Sequence, residues 1–153
     1  MSETIELEIP ARAEYLSLAR LVVTAAARID PMFGDERIED LRLVVSEATT
    51  NAIEAHVRHT SADNVIIRCN LRDDRIEVLV RDRGGGFDPL AVGRGDEAGD
   101  AGRFEHEGGF GLPLMQSLAD ESEIQATNEG GTDVRLVVKA RTTKDTADNR
   151  RPS

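Results

Sequence analysis

Glu47 and Asn51 stand four residues apart in a stretch whose apolar residues, Ile38, Leu41, Val45, Ala48, Ala52 and Ala55, recur at steps of three and four. A helix with that pattern projects both polar side chains from one face, beside the stripe that packs. One carboxylate and one amide oxygen then share a surface. The amide oxygen suits hard Mg²⁺, which keeps most of its waters and takes further oxygens from phosphates, and the carboxylate can accept a proton from an attacking hydroxyl. A solvated helix edge carries such pairs too, so the meaning of this one depends on the groups that accompany it.

Three glycine-bearing segments accompany it. Asp82-Arg83-Gly84-Gly85-Gly86-Phe87 follows a strand pattern; glycines there let the backbone approach a ligand, and Asp82 can accept a hydrogen bond from an exocyclic amine, as adenine offers and guanine does not at that position. A flexible turn with an incidental acid has the same composition. Gly108-Gly109-Phe110-Gly111-Leu112 stands where a loop becomes a helix, which is either a phosphate cradle of free amides and helix dipole or the hinge of a lid. Gly130-Gly131-Thr132 joins two strand patterns, and ordinary hairpin chemistry also accounts for it.

The elements that must position these groups follow from periodicity. Ile5, Leu7 and Ile9 alternate with Glu6 and Glu8 up to Pro10, which predicts a first strand. Leu16, Ala19, Val23, Ala26 and Ala27 predict a helix over about 12–29, closed by Asp30-Pro31. Asp35 is the expected cap of the second helix, the one that carries Glu47 and Asn51. Val65 to Leu71 and Ile76 to Val80 alternate about Arg72-Asp73-Asp74 and predict a hairpin. A loop that is either a lid, over about 88–108, or disordered is expected, then a helix over about 111–119, strands 124–126 and 134–138, and a polar tail from 141 to 153. The order predicts an α/β two-layer sandwich, with helices on one face of a mixed, mostly antiparallel sheet.

Bulk properties narrow the function. The 153 residues fit one domain, and aromatics are only 3%, so Leu, Ile, Val and Ala must fill the core. A net charge of −10 repels phosphodiester backbones and points to a protein partner rather than direct nucleic-acid binding. Cys69 alone closes no internal disulfide, nothing at the start of the chain reads as a secretory signal, and no apolar run approaches the roughly 18 residues of a membrane span. A cytoplasmic, membrane-free protein is expected. His56, His59 and His106 lack ligand spacing for zinc, and Cys69 alternates with apolar residues as a buried structural thiol does.

Taken in order, Glu47-Ala-Thr-Thr-Asn51-Ala, Asp82-Arg-Gly84-Gly-Gly86, Gly109-Phe-Gly111-Leu and Gly131-Thr132 resemble the nucleotide-binding boxes of the histidine-kinase-like ATPase superfamily, the GHKL or Bergerat fold, over about residues 5–140. Within it, Ile9-Pro10-Ala11, Val45-Ser46-Glu47-Ala48, Thr50-Asn51-Ala52 and Glu107 to Leu112 look like the anti-sigma-factor serine kinases of the stress-response and sporulation type. The resemblance implies an ATP site in which Asn51 ligates Mg²⁺, Glu47 is general base and Asp82 reads the adenine amine. Gly84, Gly86, Gly109, Gly111, Leu112 and Thr132 would complete the nucleotide contacts. It further implies binding of a sigma factor, phosphorylation of a serine or threonine on an anti-anti-sigma protein of the STAS type, a homodimer, and a partner-contacting role for Arg20. Arg94 and Arg103 are the candidate cations of the lid. Two other readings stand beside this one: an ATP-binding module that sequesters its partner without catalysis, and a detached sensor-kinase catalytic domain that phosphorylates histidine.

Overall fold

The computed structural model describes residues 3–58, 63–83, 111–127 and 130–140. The elements are β1 (Glu3–Ile9), a 3-10 turn (Ala13–Tyr15), α1 (Leu16–Arg28), α2 (Asp35–Arg58), β2 (Val65–Leu71), β3 (Arg75–Asp82), α3 (Gly111–Leu118), β4 (Glu121–Ala126) and β5 (Thr132–Lys139). The strands form one sheet in the order β1-β2-β3-β5-β4. All four pairings are antiparallel, the limiting case of the mostly antiparallel sheet expected.

β2 and β3 bury alternate residues, as a period of two requires, and β5 does so over its first half. Ile9 of β1, Val65, Ile67 and Cys69 of β2, Ile76, Val78 and Val80 of β3, and Val134, Leu136 and Val138 of β5 are buried on the inner face. Against them pack Ala19, Val23 and Ala27 of α1, Leu41, Val44, Val45, Ala48 and Ala52 of α2, and Met115 of α3. Small residues on the helices let them settle close to the strands. The outer face carries ion pairs across strands, Arg68 with Glu6 at 2.9 Å, Arg135 with Glu77 at 2.8 Å, and Arg81 with Asp133 at 2.8 Å, around the apolar Ile66, Leu79 and Val137. Charges so matched across strands stabilise the sheet on the face that no described helix covers.

Several boundaries depart from the sequence expectation, and β1, β3 and β5 each run one to two residues further than their apolar alternation. The first helix is preceded by its own 3-10 turn, so α1 begins at Leu16 rather than near residue 12. Asp35 does not cap α2; the carbonyl of Gly34 accepts from Ile38 N at 3.0 Å, and Asp35 and Glu36 occupy the first turn, where the helix dipole favours acids. The strand expected at 124–126 begins at Glu121, because edge residues Glu121 to Glu123 pair through their backbone while their side chains remain in water.

Helix α2 runs along the sheet from one end to the other, and its two ends are pinned. At the first, the buried Arg37 guanidinium donates to the carbonyl of Lys139 at 2.9 Å, to Asp40 at 2.8 Å and to Asp120 at 2.6 Å. Asp120 also accepts from Lys139 N at 2.7 Å, which fixes the link between α3 and β4. At the other end, His56 bonds the backbone at Asp63 and Arg83. The separation of the pins, 19 helical residues or roughly 28 Å, matches the reach of β3 at roughly 3.4 Å per residue.

Candidate functional site

On this pinned helix, Glu47 and Asn51 lie on the flank of the buried stripe and are half-buried. Asn51 stands five residues before His56, roughly 7 Å along the axis, and Glu47 about one turn further back. Among the described residues, neither takes part in a side-chain hydrogen bond or ion pair. A carboxylate and an amide oxygen thus stand ready on the side of α2 away from α1.

Asp82 closes the inward series Ile76, Val78, Val80 on β3, so the alternation that builds the core also buries this carboxylate, at 5% exposure. Its cross-strand neighbour is Thr132, also buried, the first inward residue of β5. The pair therefore lies at the end of the sheet beneath the C-terminal half of α2. Gly131 precedes Thr132 and runs against the Asp82 backbone so closely that a Cβ there would overlap the Asp82 carbonyl oxygen. Only glycine permits this approach. The turn behind it is held by Thr127, whose Oγ1 accepts from Gly131 N at 2.9 Å, and by Gly130 at φ +82°.

Gly111 is the first residue of α3, so the glycine box does open a helix. Gly84, Gly86 and Gly109, the lid with Arg94 and Arg103, and the side chain of Leu112 lie outside the described residues, as does the polar tail. Arg20 of α1 is half-buried and is held by Ser46: its Nε donates to Ser46 Oγ at 2.7 Å, and that hydroxyl donates to the Arg42 carbonyl at 2.6 Å. Arg20 thus stands across α2 from Glu47 and Asn51 and joins the α1–α2 contact. Ser46 and His56 are positioning groups that periodicity did not reveal, because their partners come from distant segments. Cys69 is buried, as expected, and loss of water pushes its thiol up to about 11.

Two open cavities, of about 270 and 260 Å³, lie elsewhere. The first sits at the opposite end of the sheet among Ile29, Phe33, Leu71 and Ile76. The second separates α3 from β4 and β5 and is lined by Met115, Gln116, Ser122 and Ile124. Neither is lined by Glu47, Asn51, Asp82 or Thr132. No helix among the described residues is long and apolar enough to cross a membrane.

Known proteins share both the sequence and the fold. The chain is 39% identical over 142 residues to the serine-protein kinase RsbW of Bacillus pumilus, covering 86% of this chain and 85% of that protein. RsbW of Bacillus subtilis is 35% identical over 143 residues, covering 88% and 84%. RsbW of Staphylococcus epidermidis is 36% identical over 141 residues, covering 87% and 84%. Among solved structures, a chain of the SiaB–SiaC complex from Pseudomonas aeruginosa superposes with a TM-score of 0.59 at 10% identity, over 88% of this chain and 89% of that one. That likeness concerns the fold. Residues 9–138 match the histidine kinase-like ATPase domain, and with the α2 pair, the buried Asp82 and the Gly131 approach in place, the chain belongs to that family.

Proposed function

We propose that this chain is an ATP-dependent protein serine/threonine kinase that is also an anti-sigma factor: it phosphorylates an anti-anti-sigma partner and, when free of that partner, holds a sigma factor. The observation that carries the reading is the meeting of α2 with the β3–β5 end. A half-buried carboxylate and amide stand on the helix, and a buried carboxylate lies beside a backbone that only glycine can approach. The relatives named serine-protein kinases support the reaction class.

The residues take roles that their surroundings suit. Asp82 accepts a hydrogen bond from the adenine amine, and its burial strengthens that bond while excluding a guanine, which has no donor there. Thr132 adds a hydroxyl beside it. Gly84, Gly86, Gly109, Gly111 and Leu112 supply backbone and contact surface to the phosphates and base. Asn51 offers an uncharged oxygen from a half-buried position, a fit for Mg²⁺, which when bound neutralises phosphate charge. Glu47 orients the attacking serine hydroxyl and takes its proton. Arg20, held by Ser46, faces the protein partner from α1.

Phosphorylation adds about −1.5 to −2 charges to the partner at neutral pH, and the kinase carries −10. The product is therefore repelled, and the kinase surface is released for the sigma factor. The catalytic domain spans residues 5–140 with its lid at about 88–108, works as a homodimer, and resides in the cytoplasm.

The test is transfer from radiolabelled ATP to a STAS-type anti-anti-sigma protein. Acid-stable phosphoserine or phosphothreonine on that protein is expected. Acid-labile label would instead identify a sensor-kinase domain, and nucleotide binding without transfer would identify a sequestering module.

A further inference from the structure

His56 is 1% exposed and has no part in the chemistry above. The backbone N–H of Arg83 donates to its Nε2 at 2.9 Å, so Nε2 is an acceptor. The ring hydrogen then resides on Nδ1, which lies 2.7 Å from the carbonyl oxygen of Asp63 and donates to it. Both nitrogens are in use, which leaves no lone pair for a metal.

The two partners belong to different segments. Asp63 precedes β2, and Arg83 follows the last ladder pair of β3, Asp82 with Thr132. Arg83 is also the residue between the buried Asp82 carboxylate and Gly84. The ring therefore ties the α2 helix of Glu47 and Asn51 to the strand end that presents Asp82. A strand-end N–H beyond the last ladder pair needs another acceptor, and this one finds it on the helix.

We propose that His56 is a positioning residue of the nucleotide site, whose Nδ1–H tautomer holds the Asp82–Arg83 backbone at a fixed distance from α2 and so sets the adenine selectivity of the site. The inference rests on the adenine-nucleotide reading given above. Its action is on Asp82, so it changes discrimination between bases, whereas a general loosening of the fold weakens every nucleotide alike. Inosine diphosphate is the discriminating probe, because it lacks the exocyclic amine that Asp82 accepts.

The experiment measures ADP and IDP affinities of the wild type, His56→Leu and His56→Gln, together with the ¹⁵N resonances of labelled histidine in the wild type. The wild type should show a protonated Nδ1 and an accepting Nε2. His56→Leu should lose about tenfold in ADP affinity, the equivalent of one buried hydrogen bond, with IDP affinity little changed. His56→Gln, whose side-chain oxygen can still accept from Arg83 N–H, should recover most of the loss. An unchanged ADP-to-IDP ratio in His56→Leu would overturn the inference. So would a wild-type ring protonated at Nε2, an outcome that stands even if His56→Leu does not fold. A wild type that binds ADP beside a leucine variant that binds it equally sinks this inference alone; a wild type that binds no ADP sinks the nucleotide reading beneath it.

Discussion

Gly131 and Asp82 meet backbone to backbone: a Cβ on Gly131 would overlap the Asp82 carbonyl oxygen and stand 2.8 Å from its carbon. The clash cannot be relieved as it would be by a flexible side chain, because the atoms met are backbone atoms of Asp82, at the end of the paired strand β3. Gly131→Ala is therefore expected to cost about 3 kcal/mol and to displace Asp82. Gly130→Ala meets no atom within 4 Å but must keep φ +82°, and is expected to cost about 1 kcal/mol. Urea unfolding of the two variants checks the order, and equal costs would contradict the close approach.

Glu47 and Asn51 share a flank but are assigned different work. Asn51→Ala is expected to lose the magnesium dependence of nucleotide binding. Glu47→Ala should bind ATP as the wild type does while transferring phosphate some 10²- to 10⁴-fold more slowly, the usual range for a lost general base. Calorimetry and single-turnover transfer separate the two effects. Unimpaired turnover in both variants would remove the mechanism.

Arg37 makes three bonds in three directions, to Asp40, Asp120 and the Lys139 carbonyl. Arg37→Met leaves two partly buried carboxylates without their cation and is expected to cost about 3 kcal/mol. Adding Asp120→Asn should cost less than its own single change, because the charge it removes has already lost its partner. Chemical denaturation of the double-mutant cycle decides this, and simple additivity would contradict the network.

Cys69 gives a pH-dependent signature. Burial pushes its thiol from 9.0 up to about 11, so the fold favours the protonated form. The stability this contributes is fully present below about pH 9 and is lost as the pH rises through about 11. Stability measured between those values should fall more steeply in the wild type than in Cys69→Ala. The native thiol should also alkylate only as fast as the protein opens; rapid labelling of folded protein at pH 8 would contradict its burial.

The legible parts were those governed by local period. Steps of three and four placed Glu47 and Asn51 on one flank of α2, and strict alternation placed Cys69 inward. The alternation also gave Asp82 its inward position once β3 was extended by two residues beyond Val80. The illegible parts were long-range. Nothing in the spacing shows that β5 inserts between β3 and β4, that Arg37 reaches Lys139, 102 residues away, or that Ser46 holds Arg20 across 26 residues. The spacing of His56 alone argues against a zinc ligand, but its bond to Arg83 is visible only in the fold. Glu121 to Glu123 carry no strand signal because exposed edge residues have no apolar alternation to read.

The most direct measurement is calorimetric titration of the protein with ATP, ADP and GTP, each with and without Mg²⁺. The account predicts adenine-selective binding that strengthens with Mg²⁺, lost in part in Asp82→Asn. Equal affinity for GTP, or no binding of any of the three, would contradict an adenine-nucleotide site at α2 and the β3–β5 end.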